Sequence, residues 1–118
     1  MIVLKRGRRT ESGRKAILDS LLLNMSNVAE GKMFGCSAYF ANGRLFACIF
    51  GDGVGVKVPE EIAGKLLAER RVVPFRPHGK PKMREWIQIN RAKPADYRKD
   101  MDILRTSVRF VGKIRAMK

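Results

Sequence analysis

The single histidine, His78, sits in Arg76-Pro-His-Gly-Lys-Pro-Lys82, a turn-rich loop of cations. General-base catalysis needs a nucleophile or a metal held against the imidazole. Nothing in the spacing supplies one, so His78 reads as exposed and inert. The acids are no better placed. Glu60 and Glu61 follow Pro59 directly, where the positive end of a helix dipole accounts for them. Asp100 and Asp102 are two apart on a helical stretch and do not face each other. Gly51-Asp-Gly-Val-Gly55 has the glycines of a phosphate loop but lacks the strand–loop–helix setting and the Lys-Ser/Thr that such loops need. It reads as a turn. No catalytic residue, cofactor or metal ligand is assigned, and the chain is expected not to be an enzyme.

The two cysteines, Cys36 and Cys48, flank Asn42-Gly43. That dipeptide is a two-residue hairpin turn, because both central positions of a type I′ turn need positive φ. The turn pairs Ala41 with Arg44, Tyr39 with Phe46 and Ser37 with Cys48. Side chains alternate along a strand, so Cys36 is expected on the opposite face from Cys48 and a disulfide is not. Phe40, Leu45 and Ile49 should then share one face, with Tyr39, Phe46 and Cys48 on the other. Two buried, reduced thiols suit a reducing compartment.

Charge carries more information. The chain has 118 residues, 25 Lys+Arg against 11 Asp+Glu, and a net charge of +14. Residues 1–15 hold Lys5, Arg6, Arg8, Arg9, Arg14 and Lys15 against Glu11 alone. Residues 98–118 hold seven cations, among them Arg105, Arg109, Lys113 and Arg115, against Asp100 and Asp102. Arg76, Lys80, Lys82 and Arg84 form a third group. Such clusters gain free energy by displacing counterions from phosphates, so these residues are the candidate nucleic-acid-binding set, on the premise that they gather into one patch. Trp86, Tyr39 and Phe46 are candidates to stack bases. The alternative is a protein-interaction or homodimeric structural module whose charge is incidental.

The elements that must position these groups follow from periodicity. Residues 12–25 read as a helix: Ser12 can cap it, and Ile17, Leu21 and Met25 form its stripe with Leu18 and Leu22. Residues 27–31 read as a connection. Residues 32–41 and 44–50 form the hairpin, and 54–58 a third strand. Pro59 opens a second helix that ends at Arg70-Arg71. Residues 72–75 and 83–89 are two more strands. Pro94 opens a last helix, with Tyr97, Met101, Leu104, Val108 and Val111 three or four apart. The order α-β-β-β-α-β-β-α predicts an α+β fold, a two-layer sandwich of a largely antiparallel sheet with helices on one face. Residues 1–11 are expected to be a flexible basic arm and 12–118 one domain. No apolar run approaches the ~20 residues of a membrane span. The N-terminus turns from apolar to basic, the reverse of a secretory signal, so the expected location is the cytoplasm.

Lys32-Met33-Phe34-Gly35, then Asn42-Gly43-Arg44-Leu45-Phe46-Ala47, then Val54-Gly-Val-Lys-Val58, then Pro74-Phe75, in that order, resemble the N-terminal domain of the TfoX (Sxy) family over residues 15 to 116. Met33, Phe34 and Gly35 are the most specific part. Cys36-Ser37 stands where the family commonly has a second glycine and an aromatic, and Pro59-Glu60 where it has an aspartate. The resemblance implies an α+β domain and a role in gene regulation; the family's named members regulate natural competence alongside the cyclic-AMP receptor protein. They carry a further C-terminal helical domain, so this chain is expected to be the N-terminal module alone. The family offers no catalytic residues to carry over.

Overall fold

The computed structural model describes residues 13–33, 35–51, 53–77 and 84–116, with the side chains of 113–116 excepted. Helix α1 spans 13–22. Strands β1 (Val28–Met33), β2 (Cys36–Ala41), β3 (Arg44–Phe50) and β4 (Gly53–Lys57) form a meander. Helix α2 (Glu60–Leu66) leads to β5 (Val72–Pro74) and β6 (Trp86–Asn90), and a 3₁₀ helix (Pro94–Asp100) runs into α3 (Met101–Ala116). The antiparallel sheet has the order β1-β2-β3-β4-β6-β5. This is the expected α+β architecture, with helices packed against one face. Among the described residues no helix is long and apolar enough to cross a membrane.

The main core lies between the helices and that face. Leu18 and Leu22 of α1 and Leu104, Val108 and Val111 of α3 meet Tyr39, Phe46, Ile49, Val54, Val56, Ile87 and Ile89. The i, i+4 and i, i+3 spacings put each helical set on one stripe. A smaller cluster, Ala38, Cys48 and Phe75 with Phe40, Phe50 and Trp86 around them, covers the other face. There Phe75 stacks on Trp86 at a centroid distance of 5.2 Å and meets Phe50 edge-on at 5.6 Å. Gly55 permits this, because a Cβ on it would lie 2.7 Å from the Phe75 ring.

α2 stops at Leu66 rather than at Arg70-Arg71, and three larger expectations need correction. Residues 28–31 are strand, not connection, and the long first strand divides at 34–35. Met33 pairs directly with Cys36 and Gly35 takes φ +75°, so the chain reverses between Met33 and Cys36 where a single strand was expected. The Asn42-Gly43 turn is as expected, with φ of 51° and 82° and Ala41 opposite Arg44. Beyond it the register slips: Phe40 opposes Leu45, but Tyr39 opposes Ala47 and Ala38 opposes Cys48. Phe46 is the extra residue of a β-bulge. Its carbonyl accepts a hydrogen bond from the buried Ser107 hydroxyl of α3, at 3.3 Å.

The bulge turns Phe46, Ala47 and Ile49 to the helices and leaves Leu45, Cys48 and Phe50 on the other face. Cys36 and Cys48 therefore share a face, contrary to the register drawn from the turn alone. They form no disulfide. Burial, and then the neighbouring Cys36, push the Cys48 thiol up to about 12, so it is inert at neutral pH. The third correction is at Pro94, which opens a 3₁₀ helix that becomes α3 only at Met101.

Candidate functional site

Among the described residues the candidate cations do not gather as one patch. Arg14 is only 7% exposed and its guanidinium donates to the Gly51 carbonyl at 2.8 Å. It holds α1 to the β3–β4 turn. Lys15 is held between Glu30, at 2.7 Å, and Asp19, at 2.9 Å, and these hydrogen bonds raise its pKa. Arg14 is closed to phosphate by burial, and Lys15 is already neutralised by its two carboxylates. Lys5, Arg6, Arg8, Arg9, Lys80 and Lys82, together with Phe34 and His78, lie outside the described residues, as do the side chains of Lys113 and Arg115.

The helices set the poles. α1 starts where Gly13 abuts the Pro94 ring, at the sheet end marked by Gly51. The chain then crosses to Asn27, whose carbonyl accepts from the Asn42 amide. α3 runs the same way, since the groove beside its last turns is lined by Asn27, Asn42, Pro59, Arg109 and Gly112. Residue 13 and residue 112 therefore sit at opposite ends of the sheet. Arg109 is exposed at the Asn42 end, and Arg105, mid-helix, has Asp102 at 3.9 Å.

Arg84 belongs to the Asn42 end too. It precedes β6, whose first residue Trp86 pairs with Lys57, the last of β4. Its side chain is 82% exposed, with Glu60 a loose 4.0 Å away. Arg76 is exposed after β5. Two cations at this end were not legible in the sequence: Arg44, exposed at the start of β3, and Lys57, 3.9 Å from Glu85. The signal was present in the alternation. Lys57 shares with Gly55 the face away from the helices; Arg44 stands opposite Ala41, on the helix-bearing side, and reaches the groove from beside the turn.

Between these cations lies a groove of about 410 Å³ at the Asn42 end of the sheet, lined by Met33, Phe40, Leu45, Lys57 and Trp86 of the open face with Gly43, Arg44 and, from α3, Val111. Phe40, Leu45 and Trp86 are half-buried there. Of the three aromatics named from sequence, only Trp86 is so placed. Tyr39 and Phe46 are wholly buried under the helices. The Tyr39 hydroxyl donates to Asp19 at 2.6 Å, and burial, then that carboxylate, move its ionisation well above the usual tyrosine range. Phe40 takes the second aromatic place, because alternation along β2 puts it with Ala38 on the open face, opposite to Tyr39.

Carboxylates and thiols make no comparable constellation. Among the described residues no three His, Cys, Asp or Glu side chains are grouped as metal ligands would be. The most buried acid among the described residues, Asp100, is 1% exposed and answers Arg91, whose Nε and NH2 donate to it at 3.0 and 2.8 Å. Arg71 stands at 3.5 Å. The Tyr97 hydroxyl donates to the Ile89 carbonyl beside them at 2.9 Å. These contacts pin the end of β6 and the start of β5 to the root of α3. No family model matches the chain, and a search of curated proteins finds no relative. The TfoX likeness rests on the quoted residues alone.

Proposed function

We propose that this chain is a non-enzymatic nucleic-acid-binding module that takes single strands on the open face of its sheet. The observation that carries the reading is the groove at the Asn42 end: Trp86 and Phe40, half-buried, between Arg44, Lys57 and Arg84. Single-strand binders combine aromatic faces, on which bases stack, with cations that follow the backbone. The rim carboxylates Glu60 and Glu85 stand about 4 Å from their cations. Such exposed pairs contribute little, and a phosphate displaces them readily. The net charge of +14 supplies long-range attraction.

The TfoX likeness supports a setting in gene regulation, and Met33, from its most specific stretch, lines the groove. Counterion release tests the assignment. Three phosphate contacts give a slope of log K on log salt of about −2 for single strands, an affinity loss of roughly 20-fold between 50 and 200 mM salt. Arg44→Ala or Lys57→Ala should each reduce that slope by about 0.7. Arg14→Ala, at a buried cation, should leave the slope unchanged even where it costs stability. Binding that is absent at low salt, or a slope indifferent to Arg44 and Lys57, would sink the proposal.

A further inference from the structure

The sheet has two edges, β1 and β5, and they meet water differently. β5 is three residues long and ends on Pro74, which has no N–H to offer a further strand. β1 runs the six residues Val28–Met33 and pairs along its whole length with β2 on one side. Among the described residues no strand takes its other side. An uncapped edge of that length is a template for another strand. Its side chains are fixed by register. Val28, Glu30 and Lys32 lie opposite Ala41, Tyr39 and Ser37 and so on the helix-bearing face. Ala29, Gly31 and Met33 lie on the open face.

Charge selects among the registers that keep most of this edge paired with a second copy of the chain. In an antiparallel pair, opposed residues project to the same face. A two-fold axis normal to the sheet must then pass through a residue, not between two. Centred on Glu30 it sets that carboxylate against itself, and centred on Lys32 it sets that ammonium against itself; like charges directly opposite are destabilising. Centred on Gly31 it opposes Glu30 of each copy to Lys32 of the other, twice, and Ala29 to Met33 on the open face. Both charged residues are exposed, and Lys15 already holds Glu30 in place at 2.7 Å. At the centre Gly31 carries no side chain, and the Phe40 ring lies over it on the open face, 2.9 Å from where a Cβ would sit.

We propose that β1 is the homodimerisation edge of this chain, two copies joining antiparallel about Gly31 into one continuous sheet. The Glu30–Lys32 pattern selects the chain itself as the occupant, because the pattern is complementary to its own reverse. The inference stands on strand register and charge, independently of nucleic-acid binding.

Sedimentation equilibrium on the full chain tests it. The wild type should dimerise with rising concentration in the micromolar range, as a pairing of two short edges does. Lys32→Glu and Glu30→Lys should each weaken the dimer about ten-fold or more, since each replaces two attractive cross-strand pairs with two repulsive ones. An equimolar mixture of the two single variants should form a heterodimer, with acidic edge on basic edge. Both sites are exposed, and far-ultraviolet circular dichroism should show the wild-type fold. A wild type that stays monomeric well above micromolar concentration overturns the proposal. So does a dimer indifferent to both substitutions, which would lie on another face. Outward β1 amides protected from exchange in a monomer would also overturn it, giving the edge to another segment of the same chain.

Discussion

Replacing Arg91 by alanine should be among the most damaging single changes outside the apolar core. Asp100 is 1% exposed and accepts two hydrogen bonds from the Arg91 guanidinium, at 3.0 and 2.8 Å. The Arg91 side chain is itself only 15% exposed. Breaking a buried pair by removing one partner leaves an uncompensated charge, which costs about 3–5 kcal/mol. Arg71 remains, but its 3.5 Å contact is long and it also pairs with Glu69. The expected loss is therefore near the lower bound, about 3 kcal/mol, out of the roughly 5–15 kcal/mol typical of a domain. Urea unfolding followed by circular dichroism would read it as a lower midpoint with an unchanged slope. Removing both groups in Arg91→Ala/Asp100→Ala should cost less than the two single losses added together. A single-variant loss under about 1 kcal/mol, or strict additivity, would refute the assignment of this pair as what pins α3 to the sheet.

Other substitutions probe the open face and the bulge. Gly55→Ala should destabilise by about 1–3 kcal/mol, because its methyl group enters the space of the Phe75 ring; thermal unfolding checks it, and Phe75→Leu in the same chain should recover part of the loss. Ser107→Ala should cost about 1–2 kcal/mol by leaving the Phe46 carbonyl of the bulge without its donor, read by urea unfolding. Stability should also decline in alkali. Cys48 ionises near 9 in an unfolded chain and only near 12 when folded. Between those values the unfolded state binds fewer protons, so stability is full below pH ~9 and falls by at most about 1.4 kcal/mol per pH unit from this group. Cys48→Ala should flatten that decline in denaturant titrations at several pH values.

Periodicity gave away the parts of this fold that depend on local signals. The α1 and α3 stripes, the Asn42-Gly43 turn and the Pro59 start of α2 each have a short-range cause, and each is where its residues place it. β1 had no such signal. Its sequence, Val-Ala-Glu-Gly-Lys-Met, is poor in β-branched and aromatic residues and holds a glycine, and it is a strand because β2 and the Asn27–Asn42 contact make it one. The Phe46 bulge is a tertiary event as well, with Ser107 sixty-one positions away supporting it. Missing it exchanged the faces of Cys48 and Ile49, while Phe46 stays with Tyr39 and Phe40 with Leu45.

The site was legible in composition but not in geometry. A charge total cannot distinguish Arg14, sealed against the Gly51 carbonyl, from Arg44, which faces water. Nor can it show that Lys15 has two carboxylates of its own. Only the register of β4 with β6 brings Lys57 to Trp86, and with it the cationic rim around the groove.

Trp86 is the chain's one tryptophan and sits on the floor of that groove, so its own fluorescence reports on the claim without a label. Titrating the protein with a single-stranded oligonucleotide at low salt should quench that emission as bases stack on the indole, and added salt should restore it. An emission that a saturating single strand leaves unchanged would contradict the account.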